Sequence, residues 1–310
     1  MAALLPLSLS TCSMTAPTIT LHSRCFSRNI NSKTNPYSVV LIHGLDSSSQ
    51  TWSRFAEEDL DAVALDLRGA GQSKMGLLDD FSQEALVKDI HSTLQGMKHE
   101  CTSKFVLVGH SLGGRIAMAY ANAYPEQIQA LVIEDMDIAQ RAPNNGPFSN
   151  FSPLGDRPFE RKFGSPEKAK ESLLKAGYPE GAIDRWIQEG RIRQNEDGCW
   201  WTDVNPDFRN LCYHHVLNTH KGEQDWKSMG GSFPCHVLVA GSEGTVCSEE
   251  SIKEMQTIMG DRMRLHRFPQ ASHSKPSVVE MPPNFGCHFI GLRFGIGIHN
   301  SLGELGRFQE

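Results

Sequence analysis

The sequence predicts an α/β fold in which a mostly parallel central sheet is flanked by helices. Two observations predict it: short apolar runs of strand length alternate with segments of helical period, and each run ends near a glycine or an acidic residue. The runs are apolar throughout, as expected of parallel strands that are covered on both faces. A chain of 310 residues is long enough to bury a core of this kind.

The first half of the chain contains four predicted strands and two predicted helices. The first helix places Ile90, Leu94 and Met97 at spacings of four and three residues. The second helix stops at Pro125, because proline cannot continue a helix. We predict strands over residues 37–42, 61–65, 105–108 and 128–133, and helices over residues 82–97 and 115–124.

The alternation pauses over residues 148–231. This segment holds turns rich in proline and glycine, helical patches and four of the five tryptophans, so it is an insertion and not another strand and helix unit. The sheet resumes with predicted strands over residues 235–240 and 262–268, on either side of a predicted helix over residues 249–259.

We therefore divide the chain into three parts. Residues 1–36 form a leader. Residues 37–140 and 232–310 form the core, and residues 141–231 form a helical lid that is inserted after the strand ending near Asp135.

The leader resembles an organelle transit peptide, because residues 1–45 contain no Asp or Glu and are rich in Ser and Thr. A plain N-terminal tail is the alternative, since residues 18–22 alternate like a strand and could belong to the fold. A transit peptide implies a chloroplast or mitochondrial location, and a plain tail implies the cytoplasm.

Composition excludes several functional classes. The net charge of −6 leaves no basic surplus for binding nucleic acid, and no apolar run reaches the roughly 18 to 20 residues of a membrane span. The eight cysteines form no CxxC pair, so we expect neither a zinc site nor a redox dithiol. His214 and His215 are adjacent and point apart on a helix or strand, which argues against metal binding. We expect His43 and His110 to make local hydrogen bonds.

The strongest local signal is Gly109-His-Ser111-Leu-Gly113, which matches G-x-S-x-G. The motif directly follows a predicted strand and opens a predicted helix. A strand-to-helix turn this sharp leaves no room for Cβ atoms beside the serine, which explains the two flanking glycines. The pattern therefore predicts that the Ser111 hydroxyl projects above the sheet, where the helix N-terminus favours a developing negative charge.

Four segments, in this order, resemble the α/β-hydrolase family over residues 37–274. The resemblance implies the α/β-hydrolase fold and is closest to small acyl esterases with a short lid, which use no metal and no organic cofactor. The four segments are Val-Leu-Ile-His43-Gly44-Leu45, Asp66-Leu-Arg68-Gly69-Ala-Gly71-Gln-Ser73, Gly-His-Ser111-Leu-Gly-Gly and Ala271-Ser-His273.

The resemblance also implies a role for individual residues. It makes Ser111 the nucleophile and His273 its general base, because a serine hydroxyl reacts poorly unless a base takes its proton. It makes the backbone N–H groups of Leu45 and Leu112 the oxyanion hole, since a tetrahedral oxyanion needs preorganised donors.

The acid of the triad departs from the family pattern. Family members usually carry an aspartate three residues after the glycine that ends the strand, but after Gly241 this position is Gly244. Two substitutes exist: Glu243, which is one residue early and one methylene longer, and Asp135, at the end of an earlier strand. We prefer Asp135, because some esterases of the family take their acid from that strand, within a motif resembling Asp135-Met-Asp137-Ile-Ala139.

The C-terminal region also departs from the family pattern. Residues 275–297 contain two consecutive prolines and no helical period. Joining Ser274 to Ile298 would restore a histidine loop followed by a helix. We therefore predict that residues 275–297 are an insertion, such as a retained intron or a gene-model error; the alternative is a genuine family-specific loop.

The sequence thus predicts a serine hydrolase that cleaves a small-molecule carboxylic ester or thioester through an acyl-enzyme intermediate. The tryptophans of the lid suggest an apolar acyl or aryl group over Ser111. Haloalkane dehalogenase and epoxide hydrolase chemistry are excluded, because both need a carboxylate at the nucleophile position. The alternative is a non-catalytic binding protein on the same fold, and the oligomeric state stays open.

Overall fold

Two sheets organise the part of the chain that the computed structural model describes. The predicted site residues Glu243 and His273 and the predicted insertion over residues 275–297 lie outside the described residues. The described residues are 18–26, 37–57, 61–77, 80–98, 100–141, 159–229, 233–240 and 245–268.

The described residues form ten strands. In chain order they are β1 (Ser23–Phe26), β2 (Tyr37–Ile42), β3 (Ala62–Leu65), β4 (Cys101–His110), β5 (Ile128–Glu134), β6 (Lys162–Phe163), β7 (Ile192–Gln194), β8 (Trp200–Thr202), β9 (Cys235–Ala240) and β10 (Met263–Phe268). The main sheet has seven of these strands, in the order β1-β3-β2-β4-β5-β9-β10. Neighbouring strands pair in parallel, except β1, which pairs with β3 in the antiparallel direction.

In chain order the α-helices of the described residues are α1 (Gln83–Gly96), α2 (Leu112–Ala123), α3 (Pro166–Lys175), α4 (Glu180–Gln188), α5 (Pro206–Cys212), α6 (Lys221–Ser228) and α7 (Glu249–Met259). Helices α1, α2 and α7 belong to the core, and α3 to α6 lie between β5 and β9 along the chain. Within the described ranges, no helix is both long enough and apolar enough to span a bilayer.

Both faces of the main sheet are buried. Val40 and Ile42 point into one apolar cluster, whereas Val39 and Leu41 point into another. Successive residues of a strand face opposite sides, so a strand buried on both sides must be apolar at every position. This confirms the predicted α/β architecture and explains why the strands of the core are recognisable in the sequence.

Strand β1 was not itself predicted, but it directly follows residues 18–22, whose alternating pattern allows them to belong to the fold. Residues 18–26 run beside β3 and α1: the Ile19 N–H donates to Asp89 at 2.8 Å and the Leu21 N–H donates to Thr93 at 2.9 Å. Part of the segment that the sequence assigns to the leader is therefore a strand of the main sheet.

The described part of the insertion, residues 159–229, contains a small sheet as well as helices. Strands β6, β8 and β7 pair in that order, all antiparallel. The sequence predicted helices here but not this sheet, because strands of two or three residues carry no measurable period. The insertion has an apolar cluster of its own, whose buried members are Ala169, Leu173, Tyr178, Ile183, Trp186, Ile192 and Val204.

Candidate active site

Ser111 lies in the sharp turn between β4 and α2, as predicted. Its φ of 53° and ψ of −122° lie in a sparsely populated backbone region that L-residues seldom adopt. Two hydrogen bonds hold the turn: the Ser111 N–H donates to the Glu134 carbonyl at 2.9 Å, and the Gly114 N–H donates to the Ser111 carbonyl at 2.8 Å. The residue is 7% exposed, directly before the first residue of α2.

The two glycines of the motif are required by close backbone approaches. A Cβ atom on Gly109 would overlap the carbonyl oxygen of Gly113, and one on Gly113 would overlap the carbonyl oxygen of Ile42. Neither obstacle is a flexible side chain, so neither could move aside. The reason for G-x-S-x-G at this turn is therefore steric and local.

The loop after β2 passes directly beside the serine. A Cβ atom on Gly44 would lie 3.0 Å from the Ser111 Cβ, which brings the adjacent Leu45 close to the turn. His43 is fully buried and fixes this loop: its Nδ1 lies 2.7 Å from the Gly44 carbonyl, and its Nε2 accepts the Leu67 N–H at 3.0 Å. These contacts require the neutral tautomer with the proton on Nδ1, in keeping with burial, which lowers the pKa of His43.

Asp46, the next residue of this loop after Leu45, joins the core to the insertion. It has a φ of 51°, in the left-handed region. Its carboxylate accepts the O–H of Tyr178 at 2.7 Å and forms an ion pair with Arg209. Asp46 was not predicted as a functional residue, because both of its partners are far away along the chain.

Asp135 follows β5 as Ser111 follows β4. His110 and Glu134 are paired in register, so Ser111 and Asp135 are the next residues of two neighbouring parallel strands. Asp135 is 1% exposed and has a φ of 45°. Its carboxylate accepts the Thr245 hydroxyl at 2.6 Å and the Val246 N–H at 3.4 Å, both from the segment that follows β9.

Asp137 is also buried, but its carboxylate is occupied by structural contacts. It accepts the N–H groups of Ala139 at 3.1 Å and Ser248 at 2.9 Å, and it forms an ion pair with Arg141 at 2.7 Å. These contacts pin the start of the insertion to the start of α7. Of these two aspartates, only Asp135 lies in the turn that neighbours Ser111.

The tryptophans of the insertion serve its packing. Trp186 and Trp200 belong to the insertion's own apolar cluster. Trp226 is buried in the main core, where its indole N–H donates to the Met255 carbonyl at 3.1 Å. Trp201 stacks on the Arg161 guanidinium, whose centre lies 4.5 Å from the ring centroid. These contacts give the tryptophans a structural role. Their presence in the insertion therefore does not by itself indicate an apolar substrate.

The structure thus brings together Ser111, Leu112, Asp135 and the loop that carries Leu45. The described residues contain no group of three or more His, Cys, Asp or Glu side chains arranged to hold a metal ion. Thr245 and Asp46 were not predicted as functional residues. The signal for them is their place, five residues after β9 and four residues after β2.

Comparisons with known proteins agree with this geometry. A family model described as alpha/beta hydrolase fold matches residues 37–156. Protein phosphatase methylesterase 1 of Mus musculus is 33% identical over 147 residues, which are 45% of this chain and 36% of that protein. Monoacylglycerol lipase ABHD6 of Homo sapiens is 26% identical over 162 residues, which are 50% of this chain and 48% of that protein. The chain thus spans less than half the length of either relative.

A solved structure extends the likeness over most of the chain. The structure of a marine microorganism esterase superposes with a TM-score of 0.62 at 18% identity and covers 88% of this chain and 99% of that one. At this identity the superposition shows the fold alone, and it confirms the fold that the sequence motifs predict.

Proposed function

We propose that the chain is a serine hydrolase of the α/β-hydrolase superfamily that cleaves a carboxylic ester or thioester. The observation that carries the proposal is the turn at Ser111. A serine held in a sparsely populated conformation, at the N-terminus of a helix and beside a buried aspartate, is the arrangement that nucleophilic acyl transfer needs.

In the proposed reaction, Ser111 Oγ attacks the carbonyl carbon of the substrate while His273 takes the hydroxyl proton. The backbone N–H groups of Leu45 and Leu112 stabilise the negative charge that develops on the carbonyl oxygen. The tetrahedral intermediate expels the alcohol or thiol, which receives the proton from His273. Water then attacks the acyl-enzyme by the same route, and the acid leaves.

Asp135 is the proposed acid that orients His273. Its burial and its place beside Ser111 support the assignment, since a carboxylate in this position can hold an imidazole in one tautomer. The structural contacts of Asp137 argue against that residue. Glu243 stays the alternative acid.

Residues 141–231 are the proposed lid. Support comes from the contacts that the insertion makes with the loop carrying Leu45. Besides the Asp46 contacts, the Ser48 hydroxyl donates to Asp203 at 3.0 Å. A segment anchored at this point would cover the reacting carbonyl and exclude bulk water from it.

The names of the relatives support an ester as the substrate. One is a methylesterase and the other a monoacylglycerol lipase. The substrate we propose for this chain is therefore a small-molecule acyl ester or thioester.

Labelling with a fluorophosphonate probe tests the proposal directly. The probe should label the wild-type protein, and Ser111→Ala should lose both the label and hydrolysis of aryl esters, by several orders of magnitude. Thermal stability should stay near that of the wild type, because the hydroxyl contributes chemistry and little packing. Ser92→Ala, on the exposed side of α1, is the matched control and should label normally.

A Ser111→Ala protein that keeps more than about a tenth of wild-type turnover would refute Ser111 as the nucleophile. A wild-type protein that neither reacts with the probe nor hydrolyses any ester would favour the non-catalytic binding protein.

A further inference from the structure

A carboxylate of the core and two donors of the insertion meet next to the proposed oxyanion hole. We propose that Asp46, Tyr178 and Arg209, here called the Asp46 clasp, hold the Leu45 N–H where the developing oxyanion needs it. Asp46 is then a positioning residue for the reaction, and the insertion is part of the catalytic framework as well as a cover. This inference rests on the proposed function of Ser111.

The protonation states of the two donors suit the clasp. Burial raises the pKa of Tyr178, so its phenol keeps the proton that it donates to Asp46. Burial lowers the pKa of Arg209 to about 10, which leaves the guanidinium charged at neutral pH. The side chains of Asp46 and Arg209 are only 14% and 11% exposed, so water screens their attraction little.

The partners of Asp46 are themselves held in place. The Tyr178 ring packs edge-on against Trp186, with centroids 5.1 Å apart, inside the insertion's apolar cluster. Arg209 lies in α5, and its guanidinium centre is 5.9 Å from the centroid of the Tyr178 ring. Two anchored donors thus fix the carboxylate of a residue that adjoins Leu45.

The backbone explains why the loop needs such a clasp. With a φ of 51°, Asp46 is in the left-handed region, which costs free energy for any residue with a side chain. Without the contacts from Tyr178 and Arg209, the left-handed conformation of Asp46 would be less stable. Displacing a reacting or stabilising group by about 1 Å can cost roughly 100-fold in rate.

Aspartate also tolerates the left-handed region, so two substitutions separate a role in the turn from a role in the clasp. Glycine adopts this φ without cost but makes no clasp, and asparagine tolerates it but carries no charge. We expect Asp46→Gly to lower kcat about 30-fold to 100-fold and Asp46→Asn about tenfold, with KM changed less than about threefold. If only the turn mattered, Asp46→Gly would be as active as the wild type.

A double-mutant cycle tests whether Tyr178 acts through Asp46. Tyr178→Phe should lower kcat about threefold to tenfold in the wild-type background and should have no further effect in Asp46→Gly. If Asp46→Gly fails to fold, Tyr178→Phe in the wild-type background carries the test, because it retains the ion pair with Arg209, and an unchanged kcat there would overturn the clasp. Glu84→Gln is the control: it removes a different contact between core and insertion, the ion pair of Glu84 with Lys221, and kcat should stay within about twofold.

The clasp is wrong if Asp46→Gly keeps wild-type kcat, or if Tyr178→Phe costs as much with glycine at position 46 as with aspartate. An equal loss in Glu84→Gln would also overturn it, since any loosening of the insertion would then suffice. If ester hydrolysis depends on Ser111 but is unaffected in Asp46→Gly, only the clasp fails. If the wild-type protein shows no hydrolysis that depends on Ser111, the proposed function fails with it.

Discussion

The turns at Ser111 and Asp135 follow neighbouring parallel strands, and both place a buried residue with positive φ at the same edge of the sheet. In both turns the backbone N–H donates to the neighbouring strand, from Ser111 to the Glu134 carbonyl at 2.9 Å and from Asp135 to the Leu238 carbonyl at 2.8 Å, but the remaining contacts differ. Backbone contacts fix the turn at Ser111, where Gly109 and Gly113 allow the chain to approach itself. Side-chain and backbone donors from the segment after β9 fix the carboxylate of Asp135, chiefly the Thr245 hydroxyl.

This difference explains what each turn reveals in the sequence. A turn held by its own backbone needs glycines at fixed spacing, so Ser111 is recognisable within five letters. A turn held by distant donors leaves no local pattern: Thr245 is 110 residues from Asp135 along the chain. The turn that carries the proposed nucleophile could therefore be predicted with precision, whereas the proposed acid could only be narrowed to two carboxylates.

The largest expected effect concerns the choice between Asp135 and Glu243 as the acid. In Asp135→Asn the shape is kept, but an amide at this position would favour the wrong tautomer of His273. We therefore expect kcat to fall toward the roughly 10⁴-fold loss known for the equivalent change in a serine protease. Glu243→Gln should cost less than about tenfold, measured as kcat on the same aryl ester.

The opposite ranking of these two variants would transfer the role to Glu243. Two nearly active single variants would mean that one carboxylate replaces the other, and the double variant would then show the full loss. A double variant that stays active would show that no triad operates. The turn at Asp135 would then have no role in catalysis.

The same physical rule separates the predicted parts of the fold from the missed ones. Strands β2, β4 and β9 are buried on both faces and could be read from composition alone. Strand β1 and the small sheet of β6 to β8 were missed, because each is two to four residues long and only partly buried. Their positions depend on tertiary contacts and not on local pattern.

A third carboxylate, that of Asp66, lies at the same edge of the sheet. Asp66 follows β3 and accepts hydrogen bonds from His22 at 2.9 Å and from the backbone N–H groups of Ser49 at 2.5 Å and Gln72 at 2.8 Å. Burial alone would raise its pKa, but these hydrogen-bond donors outweigh burial and lower the pKa to about 2. Asp66 is therefore a structural carboxylate.

For Asp66 we predict an effect on stability instead of chemistry. Because the folded-state pKa lies below the ordinary value of 3.8, the ionised carboxylate stabilises the fold above about pH 4, and this is lost as the pH falls toward 2. Urea unfolding at pH 7 should show Asp66→Asn to be less stable by about 2 kcal/mol, and the difference should shrink between pH 4 and pH 2. Asp261→Asn, on the exposed turn before β10, is the control and should change stability by less than about 0.5 kcal/mol.

If the loss of stability in Asp66→Asn stays constant down to pH 2, the shape of the side chain stabilises the fold and its charge does not.

The smallest expected effect tests the distant donor that distinguishes the turn at Asp135. Thr245→Val keeps the shape of the side chain but removes the hydroxyl that donates to the Asp135 carboxylate at 2.6 Å, whereas the weaker contacts from the Val246 N–H at 3.4 Å and the Cys247 thiol at 3.7 Å remain. Losing one hydrogen bond to a charged group should lower kcat about tenfold, with KM nearly unchanged, because the carboxylate orients His273 and does not touch the substrate. Thr245→Ser retains the hydroxyl and should recover most of the wild-type kcat. If valine and serine behave alike in steady-state kinetics, Asp135 is held by its own backbone turn, and the contrast with Ser111 disappears.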